Sequence, residues 1–327
     1  MIVDPELVER FRADLSALWP YTEGGPQKLG IALSGGGDSL ALLLLAHAAL
    51  PERVEAATVD HRLRRESAGE AELAANYCSE IGVPHQTLQV EVAEGNLQDR
   101  ARVARYEALG QWCVDRDLDG LSTAHQMDDQ AETFLMRLNR GSGVSGLASI
   151  RALGSLPNAP IRLVRPLLSW RRAELFDLVK SLGWSPVEDP SNENVDFDRV
   201  RMRQNLSRCD WLDVTAIGRS AHYLAEADET LKWVVDREYV ECVSFDGEEA
   251  IYQALRTGVG GTLVKGGVIR AIFRRFGLQI DQRVGAALVE NLTRGIKTNI
   301  AGLQADVRDL EGERLWIFRP ENPRRTG

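Results

Sequence analysis

Cysteine is scarce: Cys78, Cys113, Cys209 and Cys242 are the four in 327 residues, with no CxxC pair and no zinc-ligand spacing. That scarcity argues against a disulfide scaffold or a zinc site and predicts reduced thiols in a cytoplasmic protein. Long apolar runs are missing too. The longest, Leu40 to Leu50, contains His47 and falls short of the roughly 20 residues a bilayer span needs. The opening MIVDPELVERFRADL carries acids early and no apolar stretch, which predicts no secretory signal. Cations are in deficit, 39 Lys and Arg against 48 Asp and Glu for a net charge of −9, which argues against a general nucleic-acid coat. With no repeats or low-complexity tracts, and with 44% apolar and 27% charged residues, the composition is that of an ordinary globular chain.

The charge deficit is uneven. Between Phe134 and Leu182, Arg137, Arg140, Arg151, Arg162, Arg165, Arg171, Arg172 and Lys180 face only Glu174 and Asp177. Arg199, Arg201, Arg203 and Arg208 follow closely. An acidic chain with such a stretch can still present one basic face to a polyanion.

Short apolar runs at 29–33, 54–60, 84–90 and 120–124 alternate with helical patterns at 39–50, 69–81, 97–116 and 127–140. Parallel strands need crossover connections, so this alternation predicts an α/β fold with a doubly wound parallel sheet. Ligands in such sheets bind at the carboxyl ends of the strands. Near residue 210 the pattern changes. We place a catalytic domain over 1–210 and a smaller, mainly helical domain over 211–327, closed by a β-hairpin around the turn Asp309–Gly312.

The first predicted strand runs into Ser34-Gly35-Gly36-Gly37-Asp38-Ser39 and then a helix. Three glycines permit a sharp turn and close backbone approach, and N–H groups at a helix start suit an anion. The bland alternative is a tight turn with Asp38 or Ser39 capping the helix. A Gly-Lys-Ser/Thr sequence is absent, so this is not a Walker loop. Gly141-Ser142-Gly143-Val144-Ser145-Gly146 fits a dinucleotide spacing, but it follows a helix and reads better as a hinge or substrate loop.

Two further clusters end predicted strands. Asp60 and His61 either cap the next segment or line a ligand site. After the fourth strand comes His125-Gln126-Met127-Asp128-Asp129-Gln130-Ala131-Glu132-Thr133, where Asp129 and Glu132 share a helix face. Asp128 and Asp129 also suit a first helical turn on dipole grounds alone. Carboxylates that meet a triphosphate can hold Mg²⁺. Arg100, Arg102 and Arg105 lie on one predicted helix, and Arg199, Arg201 and Arg203 alternate on one side if that segment is extended.

The order SGGxDS resembles the pyrophosphate loop of the PP-loop ATP pyrophosphatases. Together with VDHRLRRES, NLQDRARVARYEAL, AHQMDDQAETFLMRLNRGSGVSGL, RPLLSWRRAEL and EDPSNENVDFDRVRMRQNL, it resembles the tRNA(Ile)-lysidine synthase family over about residues 29–206. The resemblance implies that ATP adenylates the C2 oxygen of the wobble cytidine in tRNA(Ile) with a CAU anticodon. Free L-lysine then attacks C2, and AMP leaves. It implies that Ser34, Gly35, Gly36, Gly37, Asp38 and Ser39 hold the pyrophosphate, with Asp60, His61 and His125 lining the ATP site. Asp38 and Asp129 would hold Mg²⁺, and Asp38, Arg105, Asp129, Glu132 and Arg201 would be catalytic. Arg137, Arg140, Arg171, Arg172, Arg199 and Arg203 would meet the tRNA. Within Arg199-Val200-Arg201-Met202-Arg203 the family's Arg-Asn-x-Ile-Arg pattern is not kept, so the assignment there stays open. No membrane partner is expected, and a homodimer is left open. The alternatives are a thiolase-like PP-loop enzyme, which the absence of CxxC disfavours, and a non-catalytic tRNA-binding protein, which the retained acids disfavour.

Overall fold

Alternating apolar strands and helices bury their faces only by layering, and the first two-thirds of the chain does this around one sheet. The computed structural model describes residues 2–61, 66–90, 97–187, 198–256, 261–310 and 313–321. Two compact units are present, Met1–Ala225 and Glu226–Gly327. This division falls later in the chain than the boundary expected at about residue 210.

In the first unit the strands are β1 (Leu29–Ala32), β2 (Val54–Asp60), β3 (His85–Gln89), β4 (Gly120–Ser122), β5 (Leu153–Leu156) and β6 (Ala159–Val164). Their spatial order is β3-β2-β1-β4-β6-β5, all parallel except β5, which pairs antiparallel with β6. The helices are α1 (Pro5–Leu18), α2 (Gly37–Ala49), α3 (Glu66–Glu80), α4 (Leu97–Asp115), α5 (Met127–Asn139), α6 (Val144–Leu147), α7 (Arg172–Ser181) and α8 (Asp198–Ser207). The predicted strands and helices up to residue 140 all form, with ends shifted by a few residues.

Chain order reverses between β1 and β4. From β1 the chain winds outward through β2 to β3, then returns to place β4 on the other side. The loops leaving β1 and β4 therefore diverge and open a crevice, and they carry the Ser34–Ser39 and His125–Glu132 segments. Helix α2 is buried on every side from Ser39 to Ala46, packed among β1, β2, α1 and α7. An all-apolar helix at this position explains the run Leu40–Leu50 without a membrane. Among the described residues, no helix is long and apolar enough to cross one.

The sequence reading omitted α1 and the β5–β6 hairpin. Asp4 accepts from the Glu6 N–H at 2.9 Å and Pro5 opens α1, which buries Val8, Phe11 and Leu15. Both start signals are readable in the sequence.

The second unit takes the end of α9 (Val214–Cys242), then β7 (Val243–Asp246), β8 (Glu249–Tyr252), α10 (Thr262–Arg275), α11 (Gln282–Thr293), β9 (Thr298–Ile300), β10 (Leu303–Leu310) and β11 (Glu313–Pro320). The expected hairpin is present, pairing Leu303 with Pro320 through Leu310 with Glu313. It is the middle of a larger antiparallel sheet, β7-β8-β11-β10-β9, so strand content here exceeds the expectation. Tyr252, Phe273, Trp316 and Phe318 fill its core.

Gly30 shows how tightly the first sheet is packed: a Cβ there would lie 2.8 Å from the Trp112 ring and 3.0 Å from Leu118. Overpacking of this kind costs about 1–3 kcal/mol. Gly30→Ala should lower the urea midpoint accordingly with an unchanged slope, and an unshifted midpoint would show that Trp112 yields freely.

Candidate active site

The glycine loop is built to face a ligand. Gly35 has φ +82°, a left-handed conformation, and its carbonyl accepts from the Val187 N–H at 3.0 Å. A Cβ on Gly35 would press on Val187 Cγ2 at 3.2 Å, so backbone shape and packing both call for glycine. The N-cap of α2 is Gly36, and no side chain caps it. Ser39 Oγ donates to the Gly36 carbonyl at 2.9 Å and accepts from the Ser34 N–H at 3.2 Å, with Ser34 Oγ 3.1 Å away. Capping by Asp38 or Ser39 is thereby excluded. A helix N-terminus without a side-chain cap, beside two hydroxyls, is suited to phosphate oxygens.

Across the crevice, Gln126 rather than an acid caps α5. Its buried side-chain carbonyl accepts from the Asp128 and Asp129 N–H groups, and its Nε2 lies 3.5 Å from Asp38 Oδ2. Asp129 serves in two ways. Oδ2 accepts from the Gln126 N–H at 3.1 Å, completing a capping box, while Oδ1 faces Arg172 at 3.1 Å and Arg199 at 3.0 Å. Glu132, one turn on, is 1% exposed and meets three arginines. Arg203 Nε lies at 2.8 Å, Arg199 Nε at 2.9 Å and Arg172 at 3.2 Å.

The structure corrects the extended reading of 199–203. The segment is helix α8, so Arg199 and Arg203 share a face one turn apart and both reach Glu132, whereas Arg201 pairs with Asp198. The structure also turns Arg172, expected on a tRNA-facing surface, inward. Its backbone N–H donates to Asp128 Oδ2 at 2.8 Å, and its guanidinium meets Glu132 and Asp129 and approaches Asp38 at 3.8 Å. Arg171 forks onto Asp128 with both contacts at 3.1 Å. Arg137 donates to the Gly146 carbonyl at 2.8 Å, and the exposed Arg140 pairs with Asp198 at 2.9 Å.

The remaining expected residues lie at the strand ends. Asp60 is buried at the end of β2, and His61 follows it. Arg105 on α4 donates to His61 Nε2 at 3.3–3.4 Å, which puts the proton of a neutral ring on Nδ1. His125 precedes α5, with Nδ1 3.0 Å from Thr123 Oγ1. The segments 62–65 and 188–197, including Glu188-Asp189-Pro190-Ser191-Asn192, lie outside the described residues. Gly141, at φ +66°, and Gly143, the N-cap of α6, join two helices, so that glycine motif follows no strand and is no dinucleotide loop.

Titration follows from these surroundings. Burial pushes Asp38 up to about 6, with nearby Asp129 adding to the rise and Arg172 and Gln126 opposing it. Burial raises Asp129 too, against the pull of Arg199 and Arg172. Burial alone would raise Glu132, but Arg203, Arg172 and Arg199 more than offset it and hold Glu132 below the carboxylate range. His125 is pushed down to about 3 by burial and by Arg165 and Arg199, so it is neutral at physiological pH. Burial and Arg105 also lower His61. Among the described residues, no three His, Cys, Asp or Glu side chains form a ready metal cage.

A crevice at the β1/β4 reversal, with a glycine anion loop on one lip and acids on the other, defines a PP-loop nucleotide-binding protein. The family model described as a PP-loop domain matches residues 9–209. Among solved structures, a U34-tRNA thiolase from Methanococcus maripaludis shares this fold at TM-score 0.54 and 18% identity, covering 67% of this chain and 79% of that one. The tRNA(Ile)-lysidine synthase of Novosphingobium aromaticivorans is 47% identical over 234 residues, 71% of this chain and 70% of that one. That of Zymomonas mobilis is 39% identical over 266 residues, 76% and 80% of the two chains. The chain belongs to the tRNA(Ile)-lysidine synthase family of PP-loop proteins.

Sequence reasoning missed Gln126 as the residue joining Asp38 to α5, although it stands inside the quoted HQMDDQ string. It did not foresee the ion pairs of Arg172 with Asp38, Asp129 and Glu132, because a basic run carries no signal of which member turns inward.

Asp38 carries a testable linkage. Its folded pKa, about 6, lies above its ordinary value of 3.8, so its contribution is fully present below pH 4 and is lost as pH rises through 6. Asp38→Asn should therefore melt higher than wild type at pH 7.5 and lose that advantage by pH 4. Equal melting temperatures at both pH values would show that Asp38 is not held against its charge.

Proposed function

We propose that ATP binds in this crevice with its pyrophosphate over Ser34–Ser39, and that the chain ligates lysine to C2 of the wobble cytidine of tRNA(Ile). The observation that carries this reading is the uncapped N-terminus of α2, whose own first-turn carboxylate, Asp38, reaches Gln126 on the opposite lip of the crevice. The first step is attack of the cytidine C2 oxygen on the α-phosphorus of ATP. The bond from that phosphorus to the bridging oxygen breaks, and pyrophosphate takes the electron pair. The adenylate makes the C2 oxygen a good leaving group. In the second step the lysine ε-nitrogen forms a bond to C2, the C2–O bond breaks, AMP departs and the nitrogen loses its proton.

Each residue set suits one part of this sequence. Gly35–Gly37, Ser34 and Ser39 orient the leaving pyrophosphate. Magnesium prefers one or two carboxylates plus phosphate oxygens, and Asp38 with Asp129 offers that donor set while no larger cage is present among the described residues. A bound Mg²⁺ would neutralise charge on the leaving group. Arg105, steadied by His61, stands at the β2 end of the crevice to meet phosphate charge. Lysine must attack as a neutral amine although its solution pKa is about 10.4. Glu132 is a poor proton acceptor because three guanidinium groups already occupy it, which leaves Asp129 as the better one. Neutral His125 shapes the pocket without adding charge. The exposed Arg140 and the partly exposed Arg171 are suited to tRNA phosphates.

Pyrophosphate release should require both ATP and CAU-anticodon tRNA, and AMP release with lysidine formation should further require lysine. Release at the same rate without tRNA would overturn this reading.

Asp129→Asn should lower turnover by about 10²-fold or more. Its capping oxygen survives as an amide carbonyl, so stability should fall by at most about 1 kcal/mol. A variant that melts several degrees lower yet turns over normally would return Asp129 to capping alone.

Glu132→Gln should behave differently, because it strips the shared carboxylate from three arginines. Loss of melting temperature together with activity is expected, and normal stability would show that the arginines do not depend on it.

A further inference from the structure

Six charged groups at the crevice end of α5 balance one another, and the adjacent Asp128–Arg171 pair balances itself. Asp38, Asp129 and Glu132 supply three negative charges, and Arg172, Arg199 and Arg203 supply three positive ones within ion-pairing distance of them. A divalent cation added between Asp38 and Asp129 would meet a cluster already neutral. Of the three arginines, Arg172 is the one ion-paired to both of these aspartates, at 3.8 Å and 3.1 Å. Arg203 is paired with Glu132, and Arg199 with Glu132 and Asp129.

We propose that Arg172 is a resident counter-ion whose hold on Asp38 and Asp129 is mutually exclusive with a divalent cation there. The inference rests on the reading of Asp38 and Asp129 as the Mg²⁺-facing acids. Two cations on the same carboxylate oxygens repel strongly at these separations, so one must withdraw. Arg172 is built to do so. Its backbone is anchored through the N–H to Asp128, while its side chain is 29% exposed at the crevice, so the guanidinium can swing without moving the helix. ATP brings its own negative charge, and the displaced guanidinium then has the pyrophosphate to pair with. Arg172 is thus a positioning residue. It holds the two acids together across the crevice and makes metal entry depend on an accompanying polyphosphate, so that free metal alone competes poorly.

The test is a titration of the nucleotide-free protein with Mn²⁺ alone, reading the free ion by electron paramagnetic resonance. Arg172→Ala should bind Mn²⁺ about 10-fold more tightly than wild type or better, and Arg172→Lys should stay near wild type. Arg172→Gln keeps the stem without the charge and carries the same expectation if the alanine variant does not fold. Unchanged or weaker Mn²⁺ binding in both neutral variants would overturn the proposal. Adding Asp38→Asn to the alanine variant should abolish the gain. A gain that survives Asp38→Asn places the ion elsewhere and overturns the assignment of Asp38 as well. If instead Arg172→Ala shows no gain, while Mn²⁺ binding with a non-hydrolysable ATP analogue is still lost in Asp38→Asn, the counter-ion proposal fails and the site assignment stands.

Discussion

Glu132 is the point at which the site is tied together. A carboxylate removed from water is costly unless charges and donors surround it, and here three arginines do so. They come from two helices, α7 and α8, while Glu132 belongs to α5. One buried acid therefore fixes three helices whose sequences lie up to 71 residues apart. Removing it would take away the carboxylate that all three arginines share and leave Asp129 facing two of them.

The second constraint is the order of strands. Only the reversal between β1 and β4 brings the loop after residue 32 beside the loop after residue 122. The two loops are then joined by Gln126, which caps α5 with its carbonyl and reaches Asp38 with its amide. Cap and site share the same atoms here. Asp129 repeats the theme with one oxygen on the Gln126 backbone and the other among the arginines. Capping and chemistry are compatible because a carboxylate has two oxygens facing different ways. Leading out of the glycine turn is α2, buried from Ser39 to Ala46 and packed on β1 and β2.

Much of this was legible beforehand. The alternation of strand and helix to residue 140, the glycine loop, the paired acids of α5 and the terminal hairpin all follow from local pattern. The hairpin's neighbours β7, β8 and β9 did not, since strands of three or four residues leave too few positions to show alternation. Residues 199–203 were ambiguous for a related reason. Arginine at every second position suits an extended phosphate grip, yet the backbone is helical, which keeps Arg199 and Arg203 together and sends Arg201 to Asp198. Periodicity in charge did not report the backbone because Arg tolerates either conformation.

The sequence by itself determined the class of fold, the position of the glycine loop and the family, since each depends on residue types at short, fixed spacing. Only the tertiary structure decided which charges meet. Arg172 and Arg171 are neighbours in sequence, and one turns to Asp38, Asp129 and Glu132 while the other forks onto Asp128. That choice is set where α7 begins: Arg171 is its extended N-cap and Arg172 its first helical residue, so the two side chains leave the backbone in different directions. A buried carboxylate then accepts whichever guanidinium the packing delivers.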